Sequence, residues 1–195
     1  MNFLKITPKL SSTGLILLMG ALVKFLLQLI NTPEYGFFGD ELYTIALSRH
    51  LAFGYVDLPP LVPALAALSR GLLGESLFAY RVFPALAGSA TLVFVGLLTK
   101  EFGGKTFALL TSVLGFIAIP LFLSFNSIFC YDGFDLMVLA GFLYVLVRYL
   151  RIGNQKLWLL LGLIAGLAAL TKMTILFIGP GFLIALLFSR HRKDL

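Results

Sequence analysis

Leu157-Trp158-Leu159-Leu160-Leu161-Gly162-Leu163-Ile164-Ala165-Gly166-Leu167-Ala168-Ala169-Leu170 runs through Thr171-Lys172-Met173-Thr174 into a second apolar run, Ile175 to Phe188. How that stretch is divided decides the fold. As one helix it would be about 48 Å long at 1.5 Å per residue, against a hydrocarbon core of ~30 Å. It reads instead as two short helices, Leu157–Leu170 and Ile175–Phe188, hinged at Thr171–Thr174. A hairpin returns the chain to the side it left. A single pass would put Arg190-His191-Arg192-Lys193 with the cation-poor loops, against the bias of every other loop. Gly162-Leu163-Ile164-Ala165-Gly166 reads as a close helix-packing face.

Working back toward the N-terminus, four more runs have spanning character: Leu10–Ile30, Val82–Thr99, Phe107–Phe125 and Phe134–Leu150. The composition agrees, with 59% hydrophobic and 12% charged residues and a mean hydropathy of +0.99. A soluble domain is nearer half apolar and a quarter charged. The predicted fold is all-α, a polytopic bundle of about six spans, with residues 10–30 as the first and residues 82–189 holding the other five. Lys5 and Lys9 precede the first run, but no small-residue cleavage site follows it, so it reads as a retained anchor. Lys24 within it reads as snorkelling to the interface.

The cations sort by side. Lys5, Lys9, Lys100, Lys105, Arg148, Arg151, Lys156, Arg190, Arg192 and Lys193 fall on one side; Arg49, Arg70, Arg81 and Lys172 fall on the other. The positive-inside rule makes the first side cytoplasmic and both termini with it. Most carboxylates fall outside: Glu34, Asp40, Glu41, Asp57, Glu75, Asp132 and Asp135. A net charge of +6 would suggest nucleic acid for a soluble chain; distributed this way it marks orientation, and no nucleic-acid partner is expected. One cysteine, Cys130, excludes an intrachain disulfide. No His/Cys cluster has metal-ligand spacing, so neither metal nor cofactor is expected. Gly104-Lys105-Thr106 resembles the end of a P-loop, but Thr99 stands where the pattern needs glycine.

The outer segment, residues 31–81, is too apolar for a free loop and too broken by Pro59, Pro60 and Pro63 for ordinary spans. Glu41–Phe53 fits a short amphipathic helix with Leu42, Ile45, Ala46 and Phe53 on one side, and Leu61–Leu73 a second, both lying in the interface plane. Ionised side chains beside a bilayer are costly unless used. The candidates are Asp40 and Glu41, then Arg49, His50 and Asp57, then Arg81, Asp132, Asp135 and Lys172. Each has a plainer reading. Asp40 suits an N-cap, and Asp132 and Asp135 suit the cap of a later helix. Asp57 with its prolines suits a turn. Arg49 and Arg81 suit contacts with lipid phosphates, and Lys172 suits an interfacial anchor.

Taken in order, Gly39-Asp40-Glu41-Leu42-Tyr43, Arg49-His50-Leu51, Asp57-Leu58-Pro59-Pro60-Leu61, Gly74-Glu75-Ser76 and Arg81-Val82-Phe83-Pro84-Ala85-Leu86-Ala87-Gly88 carry a family likeness. The chain resembles the N-terminal portion of a C-type membrane glycosyltransferase, of the protein mannosyltransferase-like and aminoarabinose transferase-like family, from about Tyr35 to Lys172. The resemblance implies inverting transfer of a sugar from a polyprenyl-phosphate carrier to an extracytoplasmic lipid, glycan or protein, in a bacterial inner membrane. It implies Asp40 as general base with Glu41 beside it. It also implies substrate-binding positions at Asp57, at Asp132 or Asp135, and at Arg81, the last joined on charge grounds by Arg49 or Lys172 for the carrier phosphate. Aminoarabinose transferases carry lysine before the double proline, where this chain has Leu58, which points to another sugar or another cation. Family members are more than twice as long. The chain therefore reads as part of a longer enzyme, with a partner subunit supplying missing spans as one possibility. The competing readings are a non-catalytic remnant or partner subunit that binds carrier lipid, and a small transporter or flippase. Charges gathered in loops rather than at the bilayer midplane disfavour the transporter.

Overall fold

A computed structural model describes residues 11–30 and 36–188. Lys5, Lys9, Glu34, Arg190, His191, Arg192 and Lys193, used above for orientation, lie outside the described residues. Within them the protein is all-helical: α1 (Ser12–Ile30), α2 (Gly39–Ser48), α3 (Leu61–Leu73), α4 (Leu77–Glu101), α5 (Thr106–Ala118), α6 (Pro120–Phe125), α7 (Tyr131–Ile152), α8 (Lys156–Thr171) and α9 (Ile175–Leu187).

Three of these, α1, α4 and α7, are long and apolar enough to cross a membrane. The remaining predicted spans are shorter. The run Phe107–Phe125 breaks at Pro120, which has no N–H to donate back to Phe116 and so separates α5 from α6. The hairpin at Thr171–Thr174 divides the last run into helices of 16 and 13 residues.

The long helix α4 is the axis of the bundle, packed against α1 on one side and α7 on the other, with α8 behind α7 and α9 on α8. Glycines let these helices approach. A Cβ on Gly96 would lie 2.2 Å from Leu17 Cδ2, one on Gly20 2.6 Å from Val113, and one on Gly88 2.5 Å from Asn126 Cγ. Gly162 and Gly166 face open space, so the close-packing face predicted on α8 lies instead on α1 and α4. Leu159, Leu163 and Phe177 are strongly exposed and suit lipid contact.

Lys24 does not snorkel. It is fully buried, its Nζ donating to Phe122 O at 2.9 Å, while Gln28 Nε2 donates to Leu123 O at 3.0 Å. The physical reason lies in α6. A helix of 6 residues ends with carbonyls that lack an intrahelical backbone donor, and its C-terminal end attracts a cation. In an apolar interior those carbonyls need partners, and α1 supplies them.

The bundle has two chemically distinct ends. At the far end, Glu101 of α4 holds Arg148 at 2.9 Å and Arg151 at 3.0 Å on α7. The loop end carries α2, α3, the α6–α7 turn and the α8–α9 turn. Helix α3 packs against α2, α4 and α8, and Ser69 donates to Ala79 O at 2.6 Å, tying α3 to the start of α4.

Candidate active site

Helix α2 is shorter than Glu41–Phe53 and turns a different face inward. Its buried residues are Glu41, Thr44, Ile45 and Ser48, while Leu42, Ala46 and Phe53 are exposed. The predicted apolar face of Leu42, Ile45, Ala46 and Phe53 is therefore corrected. Burial of Glu41 fixes the rotation.

Glu41 occupies the third position of α2. Its Oε2 accepts from Phe38 N at 3.0 Å, closing the helix start in the manner of a capping-box glutamate. Asp40 is not the N-cap, which is Phe38. The other contacts of Glu41 are long-range. Oε1 accepts from Arg81 Nε at 3.3 Å and from Phe129 N at 3.0 Å, and Oε2 accepts from Arg81 Nη2 at 3.1 Å. Arg81 Nη2 also donates to Gly36 O at 2.8 Å. The pair is almost wholly sealed, Glu41 at 0% and Arg81 at 4% exposure.

Asp40, one residue away, is exposed. Successive helical residues point about 100° apart, so drawing Glu41 inward turns Asp40 off to the side. Its charge reaches the Cys130 thiol and Tyr131, at the start of α7. Burial pushes that thiol up to about 11, with the charges of Asp132 and Asp40 adding to the effect against backbone hydrogen bonds at Asp132 and Gly133.

Tyr131 also meets Lys172. Its Nζ lies 4.9 Å from the Tyr131 ring centroid and donates to Asp132 Oδ1 at 2.7 Å. Burial alone would lower the ammonium, but the bond and charge of Asp132, with Asp135 and Tyr131, hold it above the usual lysine value. Asp135, one turn along α7, is 6% exposed; it engages Thr174, and its Oδ1 has no hydrogen-bond partner. Tyr131, Asp132, Asp135, Lys172 and Thr174 therefore converge from α7 and the α8–α9 turn, and Asp40 of α2 lies within electrostatic reach of Tyr131.

Three candidates do not join them. Arg49 is exposed and pairs with Glu75 at 3.2 Å, Glu75 also lying 4.0 Å from Arg70. His50 is exposed. Asp57 accepts from Tyr43 at 2.7 Å on an exposed face, and this bond raises the Tyr43 phenol. Leu58, before the double proline, is buried and serves packing.

Residues 57–195 match the family model described as dolichyl-phosphate-mannose-protein mannosyltransferase. The chain belongs to that family. Neither a curated protein nor a solved structure matches it. Membership makes this a membrane protein of the mannosyltransferase type of glycosyltransferase. The matched stretch takes in Asp57, Arg81, Asp132, Asp135 and Lys172 of this mannosyltransferase-family chain and begins after Asp40, Glu41, Arg49 and His50.

Tyr131, Thr174 and the Phe129 amide escaped the sequence reading. The first two flank named candidates, and that adjacency was the available signal. A backbone N–H leaves none. Among the described residues no group of His, Cys, Asp and Glu has the arrangement of a metal site.

Proposed function

We propose that the protein is an inverting glycosyltransferase that moves a sugar from a polyprenyl-phosphate carrier to an acceptor hydroxyl on the extracytoplasmic side, with Asp40 as general base. One observation carries the reading. Two adjacent carboxylates have opposite fates, Glu41 saturated by four donors and Asp40 exposed, its charge felt by Tyr131 at the start of α7.

In the step, Asp40 takes the proton of the acceptor hydroxyl as that oxygen attacks the anomeric carbon. The bond from that carbon to the phosphate oxygen breaks, and the electron pair leaves with the phosphate. A single displacement inverts the centre. Lys172, the half-buried ammonium over the Tyr131 ring, neutralises the charge that develops on the leaving group. The prenyl tail has a suitable bed. An apolar cavity of about 570 Å³ is lined by Val95, Phe116, Phe122, Leu139, Leu143 and Ile178, and Ile178 lies one helical turn beyond Thr174. Asp132 and Asp135 are left to hold sugar hydroxyls. The loop end then faces away from the cytoplasm, and both termini lie inside.

The test is Asp40→Asn, assayed for transfer from polyprenyl-phosphate sugar in membranes. A positioned base contributes ~10²–10⁴-fold, and a loss of that order is expected with membrane abundance unchanged. Full activity in the variant would remove Asp40 from the mechanism.

A further inference from the structure

Family likeness and charge nominate Arg81 as a ligand for the carrier phosphate. The geometry points to a different role. We infer that Glu41 and Arg81 form a fixed clamp that positions Asp40 against the α6–α7 turn, and that Arg81 is not a phosphate ligand; this rests on the transferase reading of the same site.

A carboxylate offers about four lone-pair sites, and Glu41 has all four filled. A phosphate that took Arg81 would have to strip that carboxylate and leave it unpaired in a dry site, where an uncompensated charge is strongly disfavoured. Lys172 poses no such obstacle. Its ammonium makes one hydrogen bond, to a partly exposed partner, and its side chain is 38% exposed.

What the clamp joins gives it a purpose. Oε2 holds Phe38 N at the start of α2, and Oε1 holds Phe129 N, two residues before Tyr131 and three before Asp132. Arg81 braces both oxygens and ties in Gly36 O. One carboxylate thus fixes the segment bearing the base to the segment bearing the other half of the site. Displacing a reacting group by ~1 Å can cost ~10²-fold, so the rate should depend on this tie even though neither residue touches substrate.

The deciding variants are Arg81→Lys and Glu41→Gln, in the protein as it occurs in native membranes and after transfer to nanodiscs. Arg81→Lys keeps the charge but loses the two-point fork and the reach to Gly36. The clamp requires kcat to fall by about tenfold or more, with KM for the donor and binding of polyprenyl phosphate within about twofold. Glu41→Gln separates the two roles by sign. Removing the competing charge would strengthen phosphate binding if Arg81 were a ligand, whereas the clamp predicts a lower kcat at unchanged binding. Unchanged kcat with a shifted KM in either variant overturns the proposal.

Hydrogen exchange at the Phe38 and Phe129 amides needs no substrate. Faster exchange at both in the variants is expected, and unchanged protection would overturn the clamp. If the wild-type protein transfers no sugar, the transferase reading falls and with it the clamp's bearing on rate. The exchange result still decides whether the tie exists.

Discussion

At the loop end, Glu41 meets Arg81 at 3.1 Å with side chains 0% and 5% exposed, whereas Lys172 meets Asp132 at 2.7 Å with side chains 38% and 27% exposed. The shorter pair is the more exchangeable one. Distance does not rank these contacts; burial and the number of other bonds do. A sealed, fully bonded pair holds geometry, and a half-exposed pair with a single bond can trade its partner for a ligand. The proposed reaction calls for both, one to fix the base and one to receive charge.

Breaking the sealed pair should produce the largest effect on stability. Arg81→Ala leaves Glu41 buried without its counter-charge, a situation that costs ~3–5 kcal/mol. Denaturant unfolding in detergent micelles measures it, and a loss below about 1 kcal/mol would make this pair no different from a surface one. Lys24→Met should come next. It removes the donor to Phe122 O and leaves that carbonyl unpaired in the bundle interior, at ~1–3 kcal/mol. Amide exchange in α5 and α6 should rise more than in α7, because the bond supports the segment broken by Pro120. Uniform loosening throughout the bundle would show that Lys24 does no local work.

The exchangeable pair inverts this pattern. Lys172→Ala should cost about 1 kcal/mol or less in stability, screened as the pair is. It should weaken binding of polyprenyl phosphate by about tenfold or more, the worth of a hydrogen bond to a charged group. The pH profile follows from the direction of the shift. A lysine held above its usual value keeps its charge, and its contribution, throughout the neutral range and loses both only as pH climbs through the raised value. Phosphate binding should therefore stay level from about pH 7 to 9, on the Lys172 side of the site, for an ammonium whose unperturbed value is near 10.4. A fall within that range would mean that another group accepts the phosphate.

Much of this architecture was legible because it is local. Helix α3, the hairpin at Thr171–Thr174 and the spans at α1, α4 and α7 follow from apolar run length and from turn residues. The sorting of Asp40, Asp132 and Lys172 to one end follows from counting passes. What escaped is set by partners far along the chain. Glu41 and Arg81 are 40 residues apart, Glu41 and Phe129 88, and Lys24 and Phe122 98. In sequence Glu41 looks like the twin of Asp40, and only the third dimension removes it from the solvent. The rotation of α2 failed for the same reason, since hydropathy favoured Leu42 and Ala46 while the buried ion pair overruled it. The close-packing face read at Gly162 and Gly166 lies instead at glycines such as Gly88 and Gly96, because a glycine's neighbour across a helix crossing leaves no local pattern.

The smallest effect should come from the remaining loop-end pair, which tests whether exposure alone sets the ranking. Arg49 and Glu75 lie 3.2 Å apart with side chains 54% and 57% exposed, and Arg70 shares the same carboxylate at 4.0 Å. By separation this pair nearly equals Glu41–Arg81. Water screens both charges and two long side chains must be held still, so Arg49→Ala should change stability by no more than about 0.5 kcal/mol. It should leave donor KM unchanged, because nothing places Arg49 beside Asp40 or Lys172. A rise in KM without loss of stability would draw Arg49 into the carrier site. The site would then extend across the α2–α3 face, and two exchangeable cations rather than one would be available to the phosphate.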